Sequence, residues 1–165
     1  VGIFLLMKTL VFTFLSVICF LNGYAQPKIG SVAPEITLTD KSGQRIALSS
    51  LRGKVVLVDF WASWCMPCRK SNRSILPVYN RYKDKGFEVY GISLDEDQTA
   101  WQKAISADHI TWLQFNEKGS GNNSTATAWK VEFLPTSFLI DKNGVLITID
   151  PSEKDLNKYL QLALK

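Results

Sequence analysis

Two cysteines three positions apart, Cys65 and Cys68, stand where an apolar run gives way to a helical pattern, in the stretch Val58 to Arg69, V-D-F-W-A-S-W-C-M-P-C-R. Side chains at i and i+3 of a helix face the same way, so these thiols can close a disulfide within one turn. So short a loop constrains the unfolded chain little, which makes the bond a poor staple and a good redox switch. Reduction of another protein's disulfide needs an exposed thiolate to attack and a second thiol to resolve the mixed disulfide. Cys65, at the helix tip, fits the attacking role, because free backbone N–H groups and the positive end of the helix dipole stabilise a thiolate there, and Arg69 would add another positive charge. Cys68, one turn in and facing the core, fits the resolving role, and a buried thiol needs a base. Asp59 is the candidate: an acid in mid-strand is costly without a task or partner, and burial raises its pKa toward neutrality. The competing reading makes Asp59 a structural acid bonded to neighbouring backbone.

These residues need a frame. Val55 to Phe60 is continuous and β-rich, as a central strand buried on both faces should be. The helix that begins at the cysteines is expected to continue over Arg69 to Lys85, with Ile75, Leu76, Val78, Tyr79 and Tyr82 inward, a kink at Pro77 and a stop at Gly86. Phe87 to Leu94 reads as the next strand, and Asp95-Glu96-Asp97 caps a helix over Gln98 to Ala107. Ile110 to Phe115 reads as a short strand, Asn116 to Asn123 as a polar loop and Ser124 to Lys130 as a short helix. Thr136 to Asp141 and Val145 to Ile149 flank Asn143-Gly144, a strong hairpin signal. Asp150 then serves as N-cap, Pro151 as first helical residue and Glu153 as capping-box acid of a last helix that turns Leu156, Tyr159, Leu160 and Ala163 inward. Near the start, Ile36 to Leu38 and Arg45 to Leu48 flank the turn Asp40 to Gly43, a hairpin expected to cover a sheet edge. Pro135 is odd at the head of a good strand; a cis bond in a tight turn explains it, and a trans proline opening the strand is the alternative.

Trp64-Cys65-Met66-Pro67-Cys68 after Val58-Asp59-Phe60-Trp61-Ala62, together with Leu134 to Asp141, resembles the active-site strand, helix start and cis-proline loop of the thioredoxin superfamily. With Ala33 to Leu38 and Leu51 to Leu57 added, the chain from about Ile29 to its end is similar to the TlpA/ResA-like, AhpC/TSA-related extracytoplasmic thiol:disulfide oxidoreductases. The resemblance implies an α/β thioredoxin-like fold: a central mixed sheet flanked by helices, an N-terminal β-hairpin, and an insertion in the 41 positions from Leu94 to Pro135. It puts Asp59 on the family's buried acid and turns the backbone of Leu134 toward the cysteines to pair with an extended substrate segment, a small case of strand addition. Trp64, Met66, Pro67 and Pro135 complete that binding surface. It further implies reduction of disulfides in exported proteins, electrons from a membrane thiol-transfer reductase, a monomer, and no cofactor or metal beyond the redox-active disulfide. Three features depart from the family. Ser71 and Arg73 stand where an acid and a proline are common, Glu132-Phe133-Leu134 lacks the usual glycine and makes the groove bulkier and more apolar, and Met66 is unusual between the cysteines. Trp61 and Trp64 shield the thiols or offer a docking surface, with a plain core role open for Trp61.

At 165 residues and 46% hydrophobic composition, the chain reads as one domain over residues 26–165 behind an export signal at residues 1–25. The signal runs from Met7 through Lys8 and the apolar stretch Leu10 to Leu21 to the small residues Gly23 and Ala25, with the residues before Met7 an upstream extension. An uncleaved membrane anchor over Val1 to Leu21 is the rival reading. Cys19 is one more apolar residue of the signal, since Ile18 is too bulky for a lipidation box. Localisation is then periplasmic or in the cell envelope. Loss of the signal removes Lys8 and no acid, so the net charge falls from +4 to +3, with bases scattered among acids, and nucleic-acid binding has little support. Only Cys65 and Cys68 remain, so cysteine serves chemistry rather than cross-linking. A peroxiredoxin-type thiol peroxidase would need Thr or Ser three residues before its cysteine, where Cys65 has Ala62. A metal carrier would need more than one pair and the sole His109. A non-enzymatic thiol-bearing interaction domain would need none of Asp59, Pro67 and Pro135.

Overall fold

The computed structural model describes residues 27–118 and 124–165; the expected signal at residues 1–25, with Cys19, and residues 119–123 of the expected polar loop lie outside the described residues. In chain order the elements are β1 (Thr37–Thr39), β2 (Arg45–Ala47), β3 (Val55–Trp61), α1 (Met66–Tyr82), β4 (Phe87–Ser93), α2 (Gln98–Ala107), β5 (Leu113–Asn116), α3 (Thr125–Ala128), β6 (Thr136–Ile140), β7 (Leu146–Ile149) and α4 (Glu153–Ala163). β3 lies at the centre of a five-stranded sheet ordered β5-β4-β3-β6-β7. β3, β4 and β5 are parallel neighbours, and β6 and β7 add on antiparallel. All seven residues of β3 are buried, because each face of the sheet has its own cover. Val55, Leu57 and Trp61 pack with Cys68, Ile75 and Val78 of α1 and Leu156 and Leu160 of α4. Val56, Val58 and Phe60 pack on the opposite face with Ile36, Leu48, Trp129 and Phe138. Strand alternation puts Asp59 on the α1 face.

The N-terminal hairpin forms as expected but lies mainly on a face of the sheet, with only Asp40 bridging to Phe115 on the β5 edge. The other edge is covered by residues 30–33: Gly30 N–H donates to Leu146 O and Leu146 N–H to Ser31 O, at 2.8 and 2.9 Å. The β7 edge is thereby kept from pairing with another chain. Helix α1 opens at the cysteines as expected, starting at Met66 with Cys65 itself as the N-cap. Pro77 does not end it; buried Ile75, Val78, Tyr79 and Tyr82 anchor the helix on both sides of the proline. A 3-10 turn over Lys83–Lys85 leads to Gly86, whose φ of 99° needs glycine. The ladder of β5 begins at Leu113, opposite Tyr90, so Ile110 and Trp112 are buried but outside it. One cap differs from expectation. Ser152, not Asp150, caps α4, its hydroxyl accepting from Asp155 N–H; Asp150 has φ 48° and accepts from Ser137 N–H at 2.6 Å.

Candidate active site

The cysteines are joined in a disulfide, with Cα atoms 5.2 Å apart, at the point where β3 has ended and α1 begins. Cys65 has extended backbone geometry, and its sulfur accepts from Cys68 N–H at 3.2 Å, so it occupies the N-cap of α1. Pro67 sits in the first turn, where its missing N–H costs nothing. Cys65 is 6% exposed and Cys68 1%, so in this oxidised form Cys65 alone reaches the surface, between exposed Trp64 and Met66. The order of the two thiols, outer then inner, is that of an attacking and a resolving group.

Asp59 is 2% exposed, on the face of β3 that packs against α1, and its Oδ1 has no hydrogen-bond partner. The carboxyl is pushed up to about 7, first by burial and then by the charge of Asp150. A carboxyl so placed can take up and release a proton near neutral pH. Asp150 reaches it because Ser137, which holds the Asp150 carboxylate, is the register partner of Asp59 on β6.

The segment before Cys65 is clamped by acids that sequence reading missed or assigned elsewhere. Asp95, read above as a cap, accepts from Ser63 N–H at 2.8 Å and Ser63 Oγ–H at 2.5 Å, while Asp97 alone caps α2. Arg69 donates to Asp108 through Nε and through Nη2, the latter at 3.0 Å, and Arg73 donates to Asp108 Oδ1 at 3.0 Å. The expected free charge of Arg69 beside Cys65 is therefore already paired, and its guanidinium stays strongly protonated because Asp108 accepts its hydrogen bonds. Of the departures from the family pattern, Arg73 is explained by this pair. Ser71 lines a small cavity of about 60 Å³ with Leu57 and Ser137.

Trp61 is fully buried, and its Nε1–H donates to Gln114 Oε1 at 3.0 Å, which settles it as core. Trp64 and Leu134 line one open groove of about 660 Å³ with Ser63, Leu94, Val131 and Phe133. The exposed Phe133 is the bulk that the missing glycine led us to expect. Met66 and Pro67 are exposed at the helix start but do not line this groove. The Leu134–Pro135 peptide is cis, and the β3–β6 ladder begins only at Thr136, so Leu134 lies outside it. Among the described residues no three His, Cys, Asp or Glu side chains converge on a metal position.

This geometry matches known proteins across most of the chain. Residues 29–149 match the AhpC/TSA family. A thiol-disulfide oxidoreductase ResA of Bacillus cereus is 34% identical over 137 residues, 81% of this chain and 78% of the relative. The thioredoxin domain of a thiol-disulfide oxidoreductase from Bacteroides vulgatus superposes with TM-score 0.76 at 34% identity, covering 84% of this chain and 99% of that one. A thiol:disulfide interchange protein from Bacteroides sp. superposes with TM-score 0.75 at 34% identity, covering 84% and 91%. With its CxxC disulfide at a helix N-cap on a thioredoxin-like sheet, the chain belongs to the AhpC/TSA family and, within it, to the ResA-like thiol-disulfide oxidoreductases.

Proposed function

We propose that the chain reduces disulfides of exported proteins, with Cys65 attacking, Cys68 resolving and Asp59 taking the Cys68 proton. The observation that carries this reading is the Cys65–Cys68 disulfide at the N-cap of α1, with a buried carboxyl held near pH 7 on the face of β3 that α1 covers. In the reduced protein the Cys65 thiolate attacks one sulfur of the target disulfide, forming a Cys65–target bond and expelling the target's other thiolate. Asp59 then accepts the proton of Cys68, whose thiolate attacks the Cys65 sulfur. The Cys65–Cys68 bond forms and the second target thiolate leaves. Two electrons have passed to the target, which takes up two protons. The electrons are carried by this chain's own two thiols, the Cys68 proton passes through Asp59 and the second proton comes from solvent, so the step calls for no organic cofactor or metal.

Leu134, outside the β3–β6 ladder, has backbone free to pair with an extended target segment, with Trp64 and Phe133 as apolar walls; Met66, Pro67 and Pro135 frame the thiols. The chain is exported, as its N-terminal signal pattern indicates, to the periplasm or cell envelope, and acts there as a monomer. An oxidising compartment holds no soluble dithiol pool, so a membrane thiol-transfer reductase recharges the pair. The test is to mix the reduced chain with a disulfide-bonded protein such as insulin. Cys68→Ser accumulates a mixed disulfide through Cys65, Cys65→Ser accumulates none, and the parent turns over. A parent chain that oxidises dithiols but does not reduce insulin reverses the direction. A mixed disulfide formed through Cys68 in the Cys65→Ser protein at the parent rate exchanges the roles of the two thiols.

A further inference from the structure

The head of α1 carries more charge machinery than the thiol chemistry above uses. Asp108, the residue that ends α2, is only 1% exposed and sits 40 positions past Cys68, yet it receives the guanidiniums of Arg69 and Arg73, the two arginines near the start of the active-site helix. Arg69 follows Cys68 directly, binds Asp108 in a two-pronged fashion, and sends its remaining Nη1 to Ser63 O at 3.4 Å. Arg73, one turn on, is half-exposed and shares the same carboxylate. Ser63 is therefore gripped twice: its carbonyl by Arg69, and its N–H and hydroxyl by Asp95 from the loop after β4. The charged groups around the Cys65 end of the helix are then Arg69 and Arg73 on α1, Asp108 from the end of α2 and Asp95 from the β4–α2 loop, with exposed Lys70 beyond them, Glu96, Asp97 and Glu132 along the groove beside Trp64, and Asp59 buried on β3 beneath the helix. Within the ion-paired cluster itself two cations meet two anions. A helix start followed by Arg would ordinarily add positive charge to a thiolate at the N-cap. Here that addition is cancelled in place.

We propose that Asp108 is a positioning residue for the redox pair: it fixes the Ser63–Trp64 approach to Cys65 through Arg69, and it cancels the cationic charge that would otherwise stabilise the Cys65 thiolate. Arg69 thus acts as a strut whose charge is withheld from the reaction. Burial alone would raise the Asp108 carboxyl, but Arg69, Asn72 and Arg73 together more than offset this and hold it below the usual carboxylate range, so the carboxylate stays ionised. A thiolate left without that extra cation is less stabilised, and a less stabilised reduced form makes the disulfide harder to reduce, which suits a donor of electrons.

The inference rests on Cys65 being the attacking thiol, and one experiment separates the two statements. In the reduced full chain, the rate of iodoacetamide alkylation is followed against pH, with peptide mapping to resolve Cys65 from Cys68. Asp108→Asn keeps the shape and one hydrogen-bonding oxygen but frees a positive charge; its Cys65 profile shifts to lower pH, with about threefold more thiolate at a pH below the parent's midpoint, the order expected of one charge acting at the rim of the site. Arg69→Met leaves Asp108 paired to Arg73 alone and shifts the profile to higher pH by a similar factor. The double variant, which loses one charge of each sign, returns to the parent profile. A purely structural role gives shifts of the same sign in both single variants or none, and either result overturns the proposal. Should Asp108→Asn fail to fold, Arg69→Met carries the test alone, and an unmoved Cys65 profile there is equally fatal. If Cys68 alkylates first in the parent, the assignment of the thiols fails and the inference with it.

Discussion

Asp59 gives the residue-scale chemistry a thermodynamic signature. Its carboxyl lies at about 7 in the folded protein against 3.8 in the unfolded chain, because burial on β3 and the charge of Asp150 both disfavour ionisation. Between those values the folded protein holds a proton that the unfolded chain has released, so stability is full below pH ~4 and is lost as pH rises toward 7; at higher pH the loss is on the order of 4 kcal/mol. Asp59→Asn should flatten the denaturation midpoint against pH over this window and make the oxidised protein more stable at pH 8, while slowing the resolving step so that the mixed disulfide persists. Urea unfolding from pH 4 to 8 checks it. A variant as pH-dependent as the parent would place the carboxyl's perturbation elsewhere. The sequence made this acid legible because a charge inside an uninterrupted apolar run has few explanations. Asp150 was illegible for the opposite reason: Asp150-Pro151-Ser152-Glu153 has the composition of a cap, and only the pairing of β3 with β6 reveals that the carboxylate turns back to Ser137.

At the scale of elements, whatever depends on neighbours in sequence was readable. The buried β3, apolar but for Asp59, the helix opening at Cys65, the Asn143-Gly144 hairpin and the Asp97 cap each follow from a few adjacent residues. What joins distant segments was not, and Asp95 with Ser63, Asp108 with Arg69, and Gln114 with Trp61 all fall in this class. The last pair explains a glycine that the sequence reading passed over. Gly91 lies between Asp59 on β3 and Gln114 on β5, and a Cβ there would stand 2.1 Å from Gln114 Nε2. Bare backbone at Gly91 lets the Gln114 side chain cross β4 and accept the buried Trp61 indole N–H. Gly91→Ala should push Gln114 aside and leave that N–H unpaired, a cost of about 1–3 kcal/mol. Gln114→Ala removes the same acceptor without a clash at β4. If Trp61 is the reason for the glycine, adding Gly91→Ala to Gln114→Ala will cost little more than Gln114→Ala alone. A large further loss in thermal unfolding would mean that Gly91 serves the backbone and not the indole.

For the whole molecule, the redox state and the stability of the fold are linked, because a disulfide harder to reduce in the folded chain than in the unfolded one must stabilise the fold by the same free energy. The features around the Cys65–Cys68 pair all weigh against a strongly stabilised reduced form. Arg69 is neutralised by Asp108, no other cation of α1 within the first turn is buried, and the one buried ionisable group of β3, on the face that α1 covers, is the acid Asp59 and not a base. A thiolate so placed gains mainly from the helix N-terminus. We therefore expect the oxidised chain to unfold at a higher denaturant midpoint than the reduced chain, as suits a protein that delivers electrons, and to have a reduction potential nearer thioredoxin's, about −270 mV, than DsbA's, about −120 mV. Paired denaturation curves of the two redox states, with slopes compared to verify two-state unfolding, read this out without knowing the physiological target. A reduced chain more stable than the oxidised one would make the disulfide the strained member of the pair and the protein a donor of disulfides. The potential measured in a thiol buffer should then differ from that of the unfolded chain by the same free energy, at about 1.4 kcal/mol for each 30 mV, which closes the cycle and tests both measurements against each other.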